Sequence, residues 1–300
     1  MKKFTLLILL LSSFLTYAQQ DTVNHWKREG SFAINFTQSY FSNWSAGGEN
    51  SLAFMPKLHY HTEYNKDKLM WATWSKFEIG YSLIGDSKIM KTEDKIELIS
   101  DLGYKIHNNW YWNLGVKFAS QFANGYDYAV DSTHYISKFM SPGFLNIGPG
   151  IEYKKEWLII VFSPINSRFT FVTDQRLADQ GRYGLDPAIR DTNGIIISHA
   201  KKMKYQFGAK LTAAIKYEIF KNVTLGTKLE LFSDYLDNPQ NIIVNWETLV
   251  ELKVNSWLNV NLSTQLFYDD SVEFFDYDGN PTGPKLQFRE GLMIGIGVKF

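Results

Sequence analysis

The sequence predicts an all-β fold, an antiparallel up-and-down transmembrane β-barrel of about twelve strands. Three observations predict it. Apolar and polar side chains alternate with period two through most of the chain beyond residue 30. The connections between these stretches are short and long by turns, and aromatic residues gather at the stretch ends.

The alternation is clearest in the final segment. Leu292, Ile294, Ile296, Val298 and Phe300 share one phase; Gly291, Met293, Gly295, Gly297 and Lys299 share the other. Successive strand side chains point to opposite faces, so one face suits lipid and the other a lumen. The pattern recurs upstream. Phe32, Ile34 and Phe36 alternate with Ala33, Asn35 and Thr37, and Leu258, Val260 and Leu262 alternate with Asn259, Asn261 and Ser263. Strands are expected near 30–41, 50–64, 69–84, 93–106, 110–122, 139–153, 157–171, 202–218, 222–236, 242–254, 257–268 and 286–300. The stretch 157–171 is the least regular. It is apolar on both faces from Leu158 to Phe162 and interrupted by Pro164, so it reads as one strand or as two short ones.

Short connections fall at Asn65–Lys68, His107–Asn109, Lys154–Glu156, Phe220–Lys221 and Asn255–Ser256. Longer ones begin near Ser42, Gly85, Ala123, Val172, Asp237 and Asp269. Transmembrane barrels have short periplasmic turns and longer outer loops. The connection Asp237–Asn241 is short for an outer loop. Trp71, Trp110, Trp157 and Trp257 follow short turns, and Tyr64, Tyr104, Tyr153 and Tyr217 precede the first four of them, as an interfacial girdle requires. Tyr40, Phe122, Tyr235, Trp246 and Tyr268 are placed for an outer girdle.

Residues 1–18 read as a signal peptide. Lys2 and Lys3 open it, Phe4 to Leu15 form a short apolar stretch, and Thr16-Tyr17-Ala18 is a small-residue cleavage site. Residues 19–29 are expected to be a short periplasmic stub and 30–300 the barrel. The chain has no Cys, which excludes a disulfide framework, a thiolate zinc site and a lipid-anchoring cysteine. Its 31 basic residues balance 31 acidic ones, so it carries no global field for nucleic acid. No cofactor is expected. The expected partners are outer-membrane lipid and the barrel-assembly machinery, which in this class of protein reads a terminal aromatic such as Phe300.

The segments Phe41-Ser-Asn-Trp-Ser-Ala-Gly-Gly-Glu-Asn50, Asp174-Gln-Arg-Leu-Ala178, Asn238-Pro-Gln-Asn241 with Asn245-Trp-Glu247, and Thr264-Gln-Leu-Phe-Tyr-Asp-Asp270 resemble a Bacteroidetes outer-membrane family catalogued as domain of unknown function 3078. The resemblance implies a barrel in a Gram-negative outer membrane. It implies no activity, ligand or catalytic residue.

Candidate functional residues lie on the inward phase. Lys57, His59, His61 and Glu63 share one strand, Lys76 and Glu78 the next, and Lys95, Glu97, Asp101 and Lys105 a third. Lys117, Glu152, Lys210, Lys216, Lys228, Glu230, Glu247, Glu251 and Lys253 continue the set. Interleaved charges of both signs fit a lumen filled by pairs, or a polar conduit. About twelve strands is intermediate between filled small barrels and open porins. His59 and His61 at i, i+2 with Glu63 have a spacing that can hold a metal, but a lumen hydrogen-bond network is favoured and no metal is expected. Gly80-Tyr-Ser-Leu-Ile84 misses the nucleophile motif of lipases by its last residue, and no catalytic group is expected. Asp276-Tyr-Asp-Gly-Asn280, beside Asp269, Asp270 and Glu273, departs from a calcium loop and reads as an acidic polar turn. The longest loop, 172–201, carries Asp174, Arg176, Asp179, Arg182, Asp186, Arg190 and Asp191. It is expected to fold inward as a plug, or through Ile195, Ile196 and Ile197 to extend the next strand. The resulting expectation is a narrow or gated transport barrel or a structural outer-membrane protein. An outer-loop binding module is the alternative, and a lipid-modifying enzyme a more distant one.

Overall fold

Alternating segments joined by tight turns can satisfy their backbone groups only by pairing with their sequence neighbours, and the chain does so all the way round. The computed structural model describes residues 24–40, 50–85, 89–128, 131–272, 274–275 and 281–300. The expected signal peptide, residues 19–23 of the stub, the segment 41–49, Glu273 and the 276–280 turn lie outside them. Twelve strands form a closed antiparallel barrel in chain order: β1 (Trp26–Ser39), β2 (Ser51–Lys66), β3 (Leu69–Ile84), β4 (Met90–His107), β5 (Trp110–Ser120), β6 (Gly143–Lys155), β7 (Leu158–Phe171), β8 (Met203–Phe220), β9 (Val223–Asp234), β10 (Ile242–Lys253), β11 (Leu258–Tyr268) and β12 (Gln287–Lys299). The ring closes where β12 pairs with β1. Among the described residues no helix is long and apolar enough to cross a membrane.

Burial is inverted relative to a soluble protein. Phe32, Ile34, Leu262, Leu292, Ile294 and Ile296 are exposed on the outer face, while Asn35, Glu97, Asn113, Glu152 and Gln206 are buried inside. An apolar belt of this extent on a closed barrel is a lipid-facing surface. The short turns carry Asp67, Asn108 and Asn222 at φ 53°, 44° and 67°. Asn and Asp tolerate this left-handed region, which tight hairpins need. Trp71, Trp110, Trp157 and Trp257 lie exposed beside these turns, with Trp26 packed on Tyr64 at 5.1 Å and Trp110 on Tyr153 at 4.9 Å.

Four details differ from expectation. β1 begins at Trp26, because Trp26–Glu29 pair with Tyr64–His61, so the last residues of the expected stub belong to the barrel. β6 begins at Gly143, since Lys138 and Ser141 close a turn before it. The stretch 157–171 is a single strand with one extra residue. Between the pairs Lys210–Ser163 and Gly208–Asn166, β8 advances two residues and β7 three. The Ser163 hydroxyl donates to the Pro149 carbonyl at 2.6 Å at this bulge, which reverses the inward phase beyond it. Ile196–Ser198 do not extend β8; they pair with Ile189–Arg190 as a separate hairpin. Two further hairpins, 125–127 with 131–137 and 274–275 with 281–283, also stand outside the barrel sheet.

Candidate functional site

Polar side chains on the inner face have no lipid or bulk water to turn to, so they pair across the lumen. At mid-height two carboxylates organise lysines from facing walls. Glu97 on β4 is 2.9 Å from Lys76 and 3.5 Å from Lys117. Glu230 on β9 is 2.8 Å from Lys117, 3.1 Å from Lys210 and 3.2 Å from Lys228. Lys117 stands on β5, four strands from β9, so its bond to Glu230 crosses the interior as a chord. Lys95 on β4 approaches Glu247 on the opposite strand β10 at 3.9 Å. Other chords lie above and below. Arg289 on β12 meets Glu93 on β4 at 2.7 Å, and Lys154 on β6 meets Glu63 on β2 at 3.4 Å. Arg168 on β7 lies 3.7 Å from Asp269, which follows β11.

Between these chords lies a cavity of about 660 Å³. Of the sequence-predicted residues, Lys57, His59, Lys76, Glu78, Lys95, Asp101, Lys117, Lys210, Lys216, Lys228, Glu230 and Glu247 line it. Glu97 is buried among its lysines at 3% exposure. His59 is bonded to Glu78 at 2.7 Å, whereas the adjacent His61 stacks on Trp74 at 4.9 Å. The two imidazoles thus engage different partners. Among the described residues no group of three or more His, Asp or Glu is placed to hold a metal. Glu63 bonds Asn65 as well as Lys154. Lys105, Glu251 and Lys253 do not line the cavity; they lie towards the rim beside the short turns, where Glu251 meets Lys299 at 3.6 Å. The wall is not all charge. Trp74 and Ile99 make one apolar patch on neighbouring β3 and β4, Ile159 and Val161 another on β7, and Leu249 stands on β10 beside its cross-strand partner Gly226.

The outer end carries a cap made by 131–141 and 172–201. Val172, Leu177, Ala178 and Leu185 form its own apolar core, with Tyr135, Tyr183 and Ala200 packed on it. Asp174 caps the short helix α1 (Gln175–Asp179) by accepting from the Leu177 N–H at 3.1 Å. It also accepts from the Tyr135 hydroxyl at 2.6 Å and pairs with Lys138 at 2.7 Å. Burial works to raise its pKa, but these three donors prevail and hold the carboxyl below its ordinary value. Asp179 accepts from His199 and the Ala200 N–H at 2.7 and 2.8 Å, and its carboxyl is likewise lowered against burial. Burial pushes the Tyr183 phenol up to about 12.

The loop residues expected as a plug therefore serve the cap. Arg176 stacks on Tyr135 at 4.6 Å, Arg182 donates to Gln180, Arg190 donates to the Gly194 carbonyl, and Asp186 is exposed. None of them lines the cavity. The loop still leans over the mouth, for a Cβ added at Gly184 would lie 2.9 Å from the Ser271 hydroxyl of the next-but-one outer loop. Sequence reasoning missed Glu93, Lys154, Arg168 and Arg289, and read Asp269 only as part of an acidic turn. Continuing the alternation from Leu158 puts Arg168 on the lipid side, and only the bulge at Pro164 turns it inward.

The profile of a protein family of unknown function (DUF3078) matches residues 36–126, the first third of the barrel. The other resembling segments lie outside the matched residues. No curated protein matches the sequence. Among solved structures the chain is similar to the translocator domain of the autotransporter NalP from Neisseria meningitidis, with TM-score 0.39 and 8% identity over 100% of this chain and 95% of that one. It is also similar to the COG4313 outer membrane channel from Pseudomonas putida F1 (TM-score 0.41, 12% identity, 94% of this chain and 100% of that one). Outer membrane phospholipase A from Escherichia coli matches with TM-score 0.38 and 9% identity, over 95% of this chain and 96% of that one. These likenesses are too loose to carry a function, and the fold rests on the strand pairing itself.

Proposed function

We propose that the chain is a passive outer-membrane transport barrel, closed at rest by charge pairs that cross its lumen, and not an enzyme. The observation that supports this most directly is the cavity of about 660 Å³ spanned by Lys117–Glu230 and Lys95–Glu247. A purely structural barrel of this size has no need of a cavity, and a general porin would not be crossed by such chords. Export through the leader at 1–18, residence in a Gram-negative outer membrane and a Bacteroidetes source belong to the same proposal. Their support is the leader pattern, the apolar belt and the match over 36–126.

Planar-bilayer recording tests it. The unaltered protein is expected to conduct little, and Lys117→Ala/Glu230→Ala to conduct clearly more once circular dichroism shows both to be folded. Removing residues 176–192 asks separately whether the cap gates the mouth. Large conductance in the unaltered protein would identify an open porin instead, and silence in all three forms a structural barrel.

A further inference from the structure

The charges in and around the cavity balance in number but not in place. At mid-height five lysines, Lys76, Lys95, Lys117, Lys210 and Lys228, share three carboxylates, Glu97, Glu230 and Glu247. Each ammonium has three donors, so donors are left over. Asp101 and Glu152 bring the acidic count up to the basic one. Unlike Glu63, Glu78 and Glu93, they belong to no ion pair among the described residues. Surplus ammonium groups and unpaired carboxylates thus share one lumen without meeting.

They stand one step apart. The inward residues of β5 include Lys117, Gly115 and Asn113, and Asp101 on β4 is the cross-strand partner of Gly115. Asp101 Oδ1 lies 2.9 Å from where a Cβ on Gly115 would be, and Asn113 Oδ1 lies 3.4 Å from the same point. Glu152, 4% exposed, accepts from Asn113 Nδ2 at 2.8 Å, which leaves the Asn113 oxygen to Gly115. Gly148 on β6 is the other partner of Gly115 and continues this floor. Over it lies Asn166, 4% exposed, whose Oδ1 has no hydrogen-bond partner. Lys117 is the next inward residue along β5, about 7 Å from Gly115. It is drawn across the lumen to Glu230 at 2.8 Å and so does not close on Asp101. Lys210 on β8 is the partner of Ser163, whose hydroxyl also lies over Gly148. Asp101, Asn113, Asn166, Lys117 and Lys210 all line the cavity.

This arrangement selects an occupant. A simple cation at Asp101 would leave the surplus ammonium groups unanswered, and a simple anion would leave the carboxylates so; a molecule that carries both charges answers both. An α-amino acid holds its ammonium and carboxylate on one carbon. With a charge-assisted hydrogen bond of about 2.8 Å at each end it bridges a single strand step. Ile159 and Val161 on β7 lie beside the floor, Val161 as the partner of Glu152, and offer an apolar side chain a place to rest.

We propose that the cavity binds a zwitterionic α-amino acid over the Gly115–Gly148 floor, its ammonium at Asp101 and Asn113 and its carboxylate at Lys117 and Lys210. Glu152 acts as a positioning residue, holding the Asn113 amide. The inference deepens the transport reading by naming a solute class, and as a statement about cargo it rests on that reading.

Equilibrium dialysis of the folded barrel in a maltoside detergent tests the binding, with L-leucine as probe. N-acetyl-L-leucine (no ammonium) and L-leucinamide (no carboxylate) are the comparisons. One leucine per barrel is expected, bound at least about tenfold more tightly than either comparison. No binding of leucine, or equal binding of either comparison, overturns the assignment, and because both are measured on the unaltered protein no folding defect can imitate the result. Two variants then test the orientation, each after heat-modifiable migration shows it to be folded. Asp101→Asn should weaken leucine about tenfold and leave N-acetyl-leucine unchanged, whereas Lys210→Gln should weaken leucine several-fold and leave leucinamide unchanged. The opposite pattern overturns the placement of the two charges. Conductance and uptake of leucine into proteoliposomes, on the same preparation, separate the two readings. A barrel that conducts but binds no leucine loses this inference alone, and one that binds leucine but passes neither ions nor leucine loses the channel alone.

Discussion

The lumen and the outer cap are built by opposite rules within one chain. In the lumen the buried groups are charged, and Lys117, Glu97 and Glu230 hold facing walls together. In the cap Val172, Leu177, Ala178 and Leu185 make an apolar core, Asp174 and Asp179 are buried beside it on local hydrogen bonds, and the arginines lie on the surface. The barrel wall faces lipid, so its apolar side chains must point outward and its polar ones have only one another. The cap faces water and is organised like a small soluble domain. Burial in this molecule is therefore set by the solvent each part meets.

The largest expected effect lies in the lumen. Lys117→Met leaves Glu230 and Glu97 short of a partner and should destabilise the barrel by about 3–5 kcal/mol. The measure is loss of heat-modifiable gel migration in urea. The double variant Lys117→Met/Glu230→Leu should lose more than the single one, because Lys210 and Lys228 then also lack their carboxylate; a double variant that loses less would mean that Lys117 and Glu230 act as an isolated pair.

Leu177→Ala should cost about 2–5 kcal/mol, but only to the cap. Amide exchange should speed up at 174–185 and stay unchanged in β4 and β9. Faster exchange in those strands would show that the two regions fold as one unit. Leu262→Arg, on the lipid side, should cost about 2–4 kcal/mol, and Asn261→Arg, one residue away and facing the lumen, less. Equal damage would mean that the two faces are not different solvents. The smallest effect is with pH. The Asp174 carboxyl is held below its unfolded value of 3.8, so its contribution is present above that pH and is lost as pH falls through the lower, folded value. The Tyr183 phenol is shifted the other way, so its contribution is complete below 10 and fades as pH rises towards about 12. Exchange at the Leu177 amide, corrected for its intrinsic pH dependence, should therefore rise at both extremes before the barrel unfolds.

How much of this was legible in the sequence varies with the range of the interaction. The strand 69–84 was expected and is found at those bounds, because its alternation and the turn before it are local signals. The inward phase of Lys57, Lys76, Lys95 and Lys117 was legible for the same reason. Which charges meet was not. The partners of Lys117 and Lys95 depend on closure and shear, which bring β5 to β9 and β4 to β10. A single inserted residue at Pro164 hid Arg168. The cap core was hidden by composition, since Leu177 and Ala178 sit in a loop that reads as charged.

The meeting of β1 and β12 also fixes an order of assembly. Every other strand pairs with its sequence neighbour and can form as a hairpin while the rest of the chain is still arriving. β1 must wait for β12. The clasp that ends the wait is a pair of backbone bonds, from the Gly30 N–H to the Phe300 carbonyl at 2.6 Å and from the Phe300 N–H to the Gly30 carbonyl at 2.9 Å. The Phe300 ring lies where a Cβ at position 30 would be, so only glycine there lets the ring lie against the strand. Until that moment the half-built sheet has two raw edges, either of which can recruit a strand from another chain. Completion by one distant pair makes closure a late, all-or-none event, and it puts the hazard of misassembly in the interval before the last strand is delivered.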